Sequence, residues 1–591
     1  MKQITSIFLF LLCFVTLNAQ VNVSSNITTN TTWTNNNIYL LTGGFIYVSN
    51  NATLTIQKGT IIKGDAASLV ITRGAKLIAE GTEAQPIVFT SFQTAGNRTA
   101  GDWGGVLILG KATINDPAGE RAAEGGIDAT LGLYGGVNDQ DSSGALRYVR
   151  IEYAGIAYIP NSETNGLTMG GIGGKTVIDH VQVSNGGDDS FEWFGGTVSC
   201  THLVANAGLD DDFDTDYGFR GKNQFLVALR DSNVADVSKS NGMESDNDGT
   251  GSTNIPATNA TFSNVTSIGP KILASTTINS NFARALHLRR STAIDVYNSV
   301  FVGWPTGLKV EGTNTFDNVT SGALEFKNNI IAGSDVALLD SSGGIFGMAI
   351  WFALGGNTGL TNSSDVMITD PFNYTNPNFL LMAGSPLNAG ADFSASNLLS
   401  LSTTPYRGAF DQSHDWTDCW TEWNSQDADY STAPLNYFSA TPAITVSGSV
   451  LTAPSGYASY LWSNGQTTPV ITASASGQYT VTVTNARGCS KTTESVSVSV
   501  GMEENQALTA LKMMPNPTNG RVNLSFELTN NEEVTVSVYD LTGKKVSSQQ
   551  QPLLAGKHTL NINMASESAG IYFVNISTSK AQTSLRLQVI K

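Results

Sequence analysis

Apolar residues along most of the chain come in short alternating runs that stop at glycine. The run from Leu54 to Gly59 recurs in the same frame as the run from Leu69 to Gly74. Strands this short, with one apolar face, are not stable alone, but stacked on one another they bury a continuous apolar column. The pattern predicts an all-β chain whose body is a parallel β-helix.

A second frame, Asn-x-apolar ending at Gly, marks the later coils. Asn264, Asn298 and Asn328 occupy it at steps of 34 and 30 residues. Asparagine tolerates the left-handed backbone of a sharp bend, and aligned asparagines can hydrogen-bond along a stack. An array of β-sandwiches is the alternative, but irregular intervals and few two-residue Asn-Gly hairpins disfavour it.

Changes in composition and residue pattern divide the chain into five segments. They are a signal peptide (1–19), a β-helix with a C-terminal cap (20–435), a small β-sandwich (440–500), a linker (501–512) and a C-terminal β-sandwich (513–591). We assign the cap to the aromatic-rich stretch 380–432, which we expect to close the open end of the solenoid.

Four phrases of the body are characteristic: Leu77 to Thr82, Pro86 to Ser91, Gly101 to Gly105, and Leu146 to Gly155. Together they resemble a family of secreted right-handed β-helix proteins of Bacteroidetes-type bacteria. The resemblance spans most of residues 22–432. It implies the right-handed parallel β-helix and an exported protein, and it carries no settled activity.

Residues 440–500 alternate apolar residues with Thr or Ser, which is typical of antiparallel strands with one face in water. We expect Trp462 and Tyr479 in the core of a small β-sandwich, with a sugar-binding Trp as the alternative. As far as Cys489, the segment is similar to immunoglobulin-like or PKD-like spacer modules of bacterial surface proteins. That similarity implies a stalk.

The last segment alternates cleanly and ends inside a strand, so it offers an edge for pairing. Its distinctive positions are Pro515, Asn516, Pro517, Tyr539, Asp540, Gly543, Lys544, Gly570, Tyr572 and Lys591. It closely resembles the type A C-terminal sorting domain of type IX secretion cargo. The resemblance implies recognition by the outer-membrane translocon, removal by a sortase-like protease, and release or attachment to surface lipopolysaccharide.

The net charge and the N-terminal sequence bear on the partners and the localisation of the protein. The 591 residues carry a net charge of −17, which removes any sequence-independent attraction to nucleic acid. Met1-Lys2, the apolar run from Ile7 to Leu17 and the small residue Ala19 predict a secretory signal cleaved after Ala19. The run is shorter than the roughly 20 residues that span a bilayer, so we expect no transmembrane anchor after cleavage.

Cysteine and histidine add little at this stage. Cys200, Cys419 and Cys489 are widely spaced, and we expect buried small residues, with a Cys419–Cys489 bridge conceivable in an oxidising compartment. The five histidines are scattered, so the sequence defines no His-rich metal site and no catalytic triad.

Acidic residues cluster between 188 and 248. Asp214 follows Glu192 by 22 residues and Glu244 follows Asp214 by 30, each plausible as one coil, so these carboxylates should stack. Stacked like charges repel, and a cation between them is the usual remedy. The candidate calcium ligands are Asp189, Glu192, Asp211, Asp212, Asp214, Asp216, Glu244 and Asp246. A solvated acidic surface without a ligand is the alternative.

A carbohydrate cleft is a third interpretation of the same region. Its candidate ligand-binding residues are Glu192, Trp193, Asp214, Tyr217, Phe219, Arg284, His287 and Arg289. Aromatic faces could stack on sugar rings, while the basic residues could face the groove. Equally, the basic residues could line a solvated outer face, with Leu286 and Leu288 pointing inward.

Two classes of function remain. A long body, a stalk and a sorting domain suit a cell-surface or released protein that binds glycans or other surfaces. The alternative is a polysaccharide lyase or glycoside hydrolase at the acidic coils. Hydrolysis needs two carboxylates roughly 5–9.5 Å apart. A lyase needs acids that hold calcium and a base that removes a proton beside a uronate carboxyl group. The sequence names no catalytic residue.

Overall fold

A computed structural model describes residues 19–159, 162–342, 344, 346–438, 441–499, 508–579 and 582–591. The predicted signal sequence before Ala19 and most of the predicted linker therefore lie outside the described residues. The described part divides into two compact units. The first comprises the residues up to Thr441 with the turn Asn485–Cys489, and the second comprises Pro442–Thr484 and Ser490–Lys591.

Twenty-five strands of the first unit join in one parallel sheet that winds into the predicted parallel β-helix. They are Ala19–Val23, Thr31–Trp33, Asn37–Val48, Thr53–Ile56, Ile61–Ile71, Lys76–Glu80, Ile87–Ser91, Val106–Leu109, Gly144–Glu152, Leu167–Gly170, Val177–Ser184, Phe191–Phe194, Cys200–Asn206, Phe213–Asp216, Lys222–Leu229, Asn241–Ser245, Thr261–Ile268, Arg284–Leu288, Asp295–Tyr297, Val300–Val302, Thr306–Val310, Phe326–Lys327, Ile330–Ala332, Val336–Asp340 and Thr358–Leu360.

Each regular coil passes through three faces. In one step of the stack, Ile178 pairs with Cys200 on the first face, Val181 with Leu203 on the second, and Phe191 with Phe213 on the third. The inward side chains form one hydrophobic column through the coils. Each fully buried aliphatic or phenyl side chain contributes about 1.5–3 kcal/mol, so stacking supplies the stability that no single coil has.

The corner between the first and second faces is built from residues in the left-handed conformation. Asn264, Asn298 and Asn328 have φ of 56°, 51° and 57°, which confirms their predicted place at equivalent bends. In the earlier coils Tyr148, His180, His202 and Phe225 occupy the same corner with φ between 49° and 60°. There, ring stacking takes the place of amide hydrogen bonds.

The Gly101–Gly105 phrase packs one large side chain. Trp103 is completely buried, and its indole Nε1 donates to the Glu152 carbonyl over 2.7 Å. A Cβ on Gly64 would lie 2.6 Å from the Trp103 ring. Glycine at position 64 is therefore required for the indole to enter the column.

Residues 385–438 form a strap, and the expectation that residues 380–432 close the open end of the solenoid is wrong. The strap runs back along the outer side of the second face. The backbone of Asp392 in the strap hydrogen-bonds the Asn298 side chain, and the backbone of Glu422 hydrogen-bonds the Gln182 side chain. Near the end of the strap, the Leu435 backbone N–H donates to the Gly59 carbonyl oxygen. A second hydrophobic cluster fills the space between that face and the strap. The outer apolar residues of the face are covered in this way.

The remaining elements of the first unit are short. Small antiparallel pairs join Arg121–Ala122 to Leu133–Tyr134, Ala157–Ile159 to Ser162–Glu163, and Ile368–Asp370 to Asn378–Leu381. The α-helices are Thr313–Ser321 and Met348–Leu354, and the 3₁₀ helices are Ser363–Val366, Pro386–Asn388 and Ser396–Leu398. No helix in the described part of the chain is both long and apolar enough to cross a membrane.

The described strands of the second unit pair antiparallel, as predicted, and one isolated parallel bridge joins Thr518 to Val589. Its first part contains the strands Thr445–Ser447, Val450–Thr452, Ser459–Trp462, Val470–Thr472, Gly477–Tyr479, Val481–Thr484, Ser490–Thr492 and Val496–Val498. Its second part contains Leu508–Met514, Arg521–Leu528, Glu532–Tyr539, Lys545–Leu553, Gly556–Asn563, Gly570–Ser577 and Gln582–Val589. Trp462 and Tyr479 are buried, so they are core residues and offer no open face to a sugar.

Cys419 and Cys489 form a disulfide across 70 residues of sequence. The sequence left this bridge open, and the structure forms it. The strap and the turn Asn485–Cys489 bring the two residues together, and no local sequence feature indicates that contact. Cys200 is a free buried cysteine, as expected.

Candidate functional site

The outward side chains of the third face form a charged column along the β-helix. Glu192 pairs in register with Asp214, Asp214 with Glu244, Glu244 with His287, and His287 with Lys309. The predicted stacking of the carboxylates is therefore confirmed. Along successive coils the side chains of the column therefore change from acidic to basic.

Six carboxylates crowd the acidic end, and they define what we call the acidic centre: Asp188, Asp189, Glu192, Asp210, Asp211 and Asp214. Oxygens of Asp189, Glu192 and Asp214 lie within 4.8 Å of one another, and so do those of Asp188, Asp189 and Asp210. Asp189 is shared by both groups. The centre thus offers two adjacent sets of oxygen ligands.

Hydrogen bonding satisfies the acidic centre only in part. Asp189 Oδ1 accepts from the Asp211 backbone N–H over 2.8 Å, and Asp211 accepts from the backbone N–H of Asn241. Asp214 Oδ1 is fully enclosed and has no hydrogen-bond partner among the described residues. An enclosed carboxylate oxygen without a donor is costly and calls for a cation or a proton.

Electrostatics leads to the same requirement. Burial, reinforced by the neighbouring acids, raises the pKa of Asp189, Glu192, Asp211 and Asp214 well above their usual values. Burial raises the pKa of Asp210 to about 6, with Asp236 and Glu244 adding to it. The ionised cluster is therefore stable only when positive charge is supplied.

The loop between the strands Val106–Leu109 and Gly144–Glu152 adds a carboxylate that the sequence did not suggest. Glu124 interacts with Glu192, and desolvation of the Glu124 carboxyl group raises its pKa. Asn165 also donates its side-chain amide to Glu192. Glu124 lies in a loop far from Glu192 in sequence, so no spacing signal could have found it. Asn165 precedes Glu192 by 27 residues, about one coil, but it lies outside the acidic repeats. Asp188 and Asp210, by contrast, directly precede predicted ligands.

Other predicted calcium ligands are neutralised by basic side chains instead. Asp212 is fully buried, and its Oδ1 accepts from Arg230 Nη1 over 2.8 Å. Glu244 contacts His287 and Arg289, and Asp246 contacts Arg289 and Arg290. These ion pairs place Asp212, Glu244 and Asp246 outside the acidic centre.

Asp216 occupies the next outward position after Asp214. Its Oδ1 accepts from the Tyr217 backbone N–H over 2.7 Å, and burial, reinforced by Asp246 and Asp248, raises its pKa to about 8. It belongs to neither group of converging oxygens. Its carboxyl group therefore lies beside the centre and contributes no oxygen to either group.

The predicted aromatic platform is wrong for two of its three residues. Strand alternation turns Trp193 inward when Glu192 points outward, and the Trp193 and Phe219 rings stack at 5.3 Å within the core. Both are fully buried, so neither can meet a sugar ring. Tyr217 is only partly buried, but the guanidinium of Arg121 lies over its ring at 4.5 Å.

The basic residues do lie on the same outer face as the acids. Arg284 donates to Asn241 Oδ1 over 3.4 Å, and His287 Nε2 lies 2.7 Å from Glu311. Leu286 and Leu288 point into the core, as the alternation predicts. Arg289 and Arg290 line a cavity of about 380 Å³ that Glu311 and Asn314 also border.

Comparison with known proteins identifies the body. The family model for the pectate-lyase-like β-helix domain matches residues 25–342, more than half of the 591-residue chain. The chain belongs to this family. No curated protein matches the chain significantly.

Two solved structures are similar in part. The dimeric latent PorU of Porphyromonas gingivalis is 15% identical over 25% of this chain and 20% of its own, with a TM-score of 0.13. This chain thus spans about a fifth of that protein's length. The Dettilon tailspike protein is 10% identical over 93% of this chain and 88% of its own, with a TM-score of 0.18.

A second family model, the secretion-system C-terminal sorting domain, matches residues 512–591. The protein is therefore type IX secretion cargo that is exported across the outer membrane.

Four motif residues of the sorting domain support its fold. Asn516 bonds the strand Gln582–Val589 at Arg586 and Gln588, Asp540 accepts from the Lys544 N–H over 3.0 Å, and Tyr572 is buried. Gly543 has φ of 83°, which fits the turn it occupies.

Proposed function

We propose that this exported β-helix binds calcium at the acidic centre and, through the bound ion, an acidic glycan outside the cell. The observation that carries the proposal is the convergence of Asp189, Glu192 and Asp214, with Asp214 Oδ1 enclosed and unbonded. Binding and display is the class of function that this arrangement supports best.

Calcium is the cation that best suits these ligands. It takes six to eight oxygen ligands at about 2.3–2.6 Å and accepts irregular geometry. The acidic centre offers carboxylate oxygens from two successive coils, so a bound ion would replace repulsion between coils with attraction. A calcium ion held by three carboxylates has coordination positions left for a ligand or water.

Bound calcium would make the acidic centre a site for an acidic glycan despite the negative charge of the molecule. A net charge of −17 repels anionic polymers, and only a local reversal of sign would let one approach. Bound calcium supplies that reversal at the acidic centre. Further along the same face, Arg289 and Arg290 border a cavity that could take a second anionic group.

A polysaccharide lyase is the second candidate, supported by membership in the pectate-lyase-like family. Acids that hold calcium would position the uronate, and a basic residue of the same face would remove the proton. Glycoside hydrolysis is the other enzymatic route, and it would need two carboxylates roughly 5–9.5 Å apart.

The test is calcium titration of the full chain by calorimetry, together with glycan-array binding in calcium and in chelator. Glu192→Gln and Asp214→Asn keep the side-chain size and remove ligand charge, while Asp65→Asn changes an exposed acid on an earlier coil and serves as the control. We expect loss of calcium binding in the first two variants only, and glycan binding only with calcium.

Three outcomes separate the candidates. Equal calcium affinity in parent, Glu192→Gln and Asp214→Asn would refute the acidic centre as the calcium site. Calcium binding without any glycan binding would leave a structural ion and refute the glycan proposal. Unsaturated sugar products, formed by the parent but not by Asp214→Asn, would make the protein a lyase.

The sorting domain completes the proposal. We infer that it engages the translocon and a sortase, and that removal of residues 513–591 leaves the β-helix on the surface or free in the medium. Mass spectrometry of the exported protein tests this inference, and an intact C-terminus at Lys591 would contradict it.

A further inference from the structure

One cluster of metal-binding side chains lies outside the acidic centre. Asp179 ends the first face of its coil, and His180 and His202 occupy the left-handed corner on successive coils. Both histidine Nδ1 atoms point to the same carboxylate oxygen, Asp179 Oδ1, at 2.8 Å and 2.9 Å. One atom from each of the three side chains lies within 4.8 Å of the other two.

The corner fixes the orientation of both imidazoles. The His180 and His202 rings stack at 4.2 Å because equivalent corner positions lie directly above one another. Tyr148 stacks on His180 at 4.4 Å, and Phe225 stacks on His202 at 5.2 Å. This four-ring column holds the two Nδ1 atoms on one side of the stack.

The strap encloses the same rings from outside. Trp416 meets both imidazoles edge-on, at 6.0 Å from His180 and 5.0 Å from His202, and Trp420 meets His180 at 5.7 Å. Side-chain exposure falls to 15% for His180, 25% for His202 and 19% for Asp179. The cluster is therefore sheltered but still open to small ions.

Asp179 is held as a carboxylate. The Thr201 hydroxyl donates to Oδ1 over 2.8 Å, and Arg147 Nη1 lies 2.8 Å from Oδ2. The guanidinium and the hydroxyl donor both favour the carboxylate form of Asp179.

We propose that Asp179, His180 and His202 bind a first-row transition-metal cation of the Zn²⁺ class. Two imidazole nitrogens and a carboxylate oxygen are the ligands that such borderline cations prefer, whereas calcium takes oxygen ligands. Zinc bonds of about 2.0–2.2 Å place tetrahedral ligands roughly 3.3 Å apart, so the three atoms need only small shifts to admit the ion. A water molecule completes the coordination.

Proton balance is simple at this site. Metal binding at Nδ1 requires that the proton of each imidazole reside on Nε2. A proton that an Nδ1 atom shares with Asp179 in the metal-free protein therefore moves to Nε2 or to solvent when the metal binds. Arg147 stays on Oδ2 and orients the carboxylate.

Zinc binding to the full chain tests the proposal. We expect one Zn²⁺ to bind without competition from calcium, and Co²⁺ in its place to give visible d–d absorption. His202→Phe keeps a ring in the aromatic column while removing the nitrogen ligand, and Asp179→Asn removes the charge. Each variant should weaken zinc binding by about 10–100-fold or more. His558→Gln, in the second unit, serves as the control and should not change it.

Unchanged affinity in a folded His202→Phe variant, or an equal loss in His558→Gln, would overturn the proposal. If His202→Phe does not fold, X-ray absorption of the zinc-loaded parent decides the question by counting imidazole ligands. Two imidazoles support the site, whereas fewer than two, or no bound zinc, refute it. Calcium binding at the acidic centre is measured separately, so either proposal can fail alone.

Discussion

Arg150 Nη2 donates to the phenolic oxygen of Tyr430 over 3.0 Å, and this bond joins the second face of the β-helix to the strap. Tyr430 in turn donates to Glu152 over 2.7 Å, and the Arg150 and Glu152 side chains are both fully buried, 3.4 Å apart. The strap thus covers an ion pair as well as apolar side chains. Its attachment depends on charge compensation inside the protein.

Replacing Arg150 with Met should destabilise the first unit by about 3–5 kcal/mol, because Glu152 is left buried without its cation. Denaturant unfolding measures the change. Arg73→Met, which breaks a more exposed pair with Glu120, should cost about 0–1 kcal/mol. The double variant Arg150→Met, Glu152→Gln should recover part of the loss. An effect of Arg150→Met no larger than that of the control would contradict this account.

Asn298 combines a left-handed backbone with two bonds to the strap, since its side chain donates to and accepts from Asp392 over 3.0 Å and 2.9 Å. Asn298→Gly accepts the left-handed backbone conformation and loses only the two hydrogen bonds. Asn298→Ala loses the same hydrogen bonds and must also adopt a left-handed conformation that is unfavourable for alanine. We expect Ala to be less stable than Gly by about 1–2 kcal/mol in thermal or denaturant unfolding. Equal stability would show that the corner imposes no conformational cost.

Asp216, beside the acidic centre, should make the stability of the protein depend on pH. A carboxyl group whose pKa is raised by folding stabilises the protein below its unfolded pKa, and that contribution is lost as the pH rises through the folded value. For Asp216, with a folded pKa of about 8, the loss should run from about pH 4 to about pH 8, with a slope near 1.4 kcal/mol per pH unit at most.

Calorimetry of the parent and of Asp216→Asn in chelator isolates this contribution, because the difference between the two removes the other titrating groups. The parent should lose stability relative to the variant as the pH rises. Added calcium should raise the melting temperature of the parent more at about pH 8 than at about pH 5. A difference that does not change with pH would be inconsistent with the raised pKa.

The Cys419–Cys489 disulfide closes a 70-residue separation. Chain entropy assigns about 4 kcal/mol to a loop of this length. Cys489→Ala should therefore lower the melting temperature clearly, and reductant should destabilise the parent but leave Cys489→Ala unchanged. Thiol counting under denaturing conditions before and after reduction verifies the bridge. Equal melting of parent and variant would exclude a stabilising role.

Much of the architecture follows from local sequence. Glycine-terminated apolar runs specify short stacked strands, the Asn264, Asn298 and Asn328 frame specifies a left-handed corner, and strand alternation sends Leu286 and Leu288 inward. The spacing of Glu192, Asp214 and Glu244 likewise fixed their register, because one coil is one period of the repeat. Such features are encoded within one or two coils.

Tertiary structure decided whatever depends on residues far apart in the chain. It brought Glu124 to Glu192, Cys419 to Cys489, and His180 with His202 beneath Trp416, and it laid residues 385–438 along the side of the solenoid. It also placed Trp193 and Phe219 in the core and paired Asp212 with Arg230. The physical reason is that a periodic sequence determines how neighbouring coils stack. Loops and the strap instead take the positions in which they cover apolar surface and balance buried charge. Their sequences contain no periodic pattern from which those positions could be predicted.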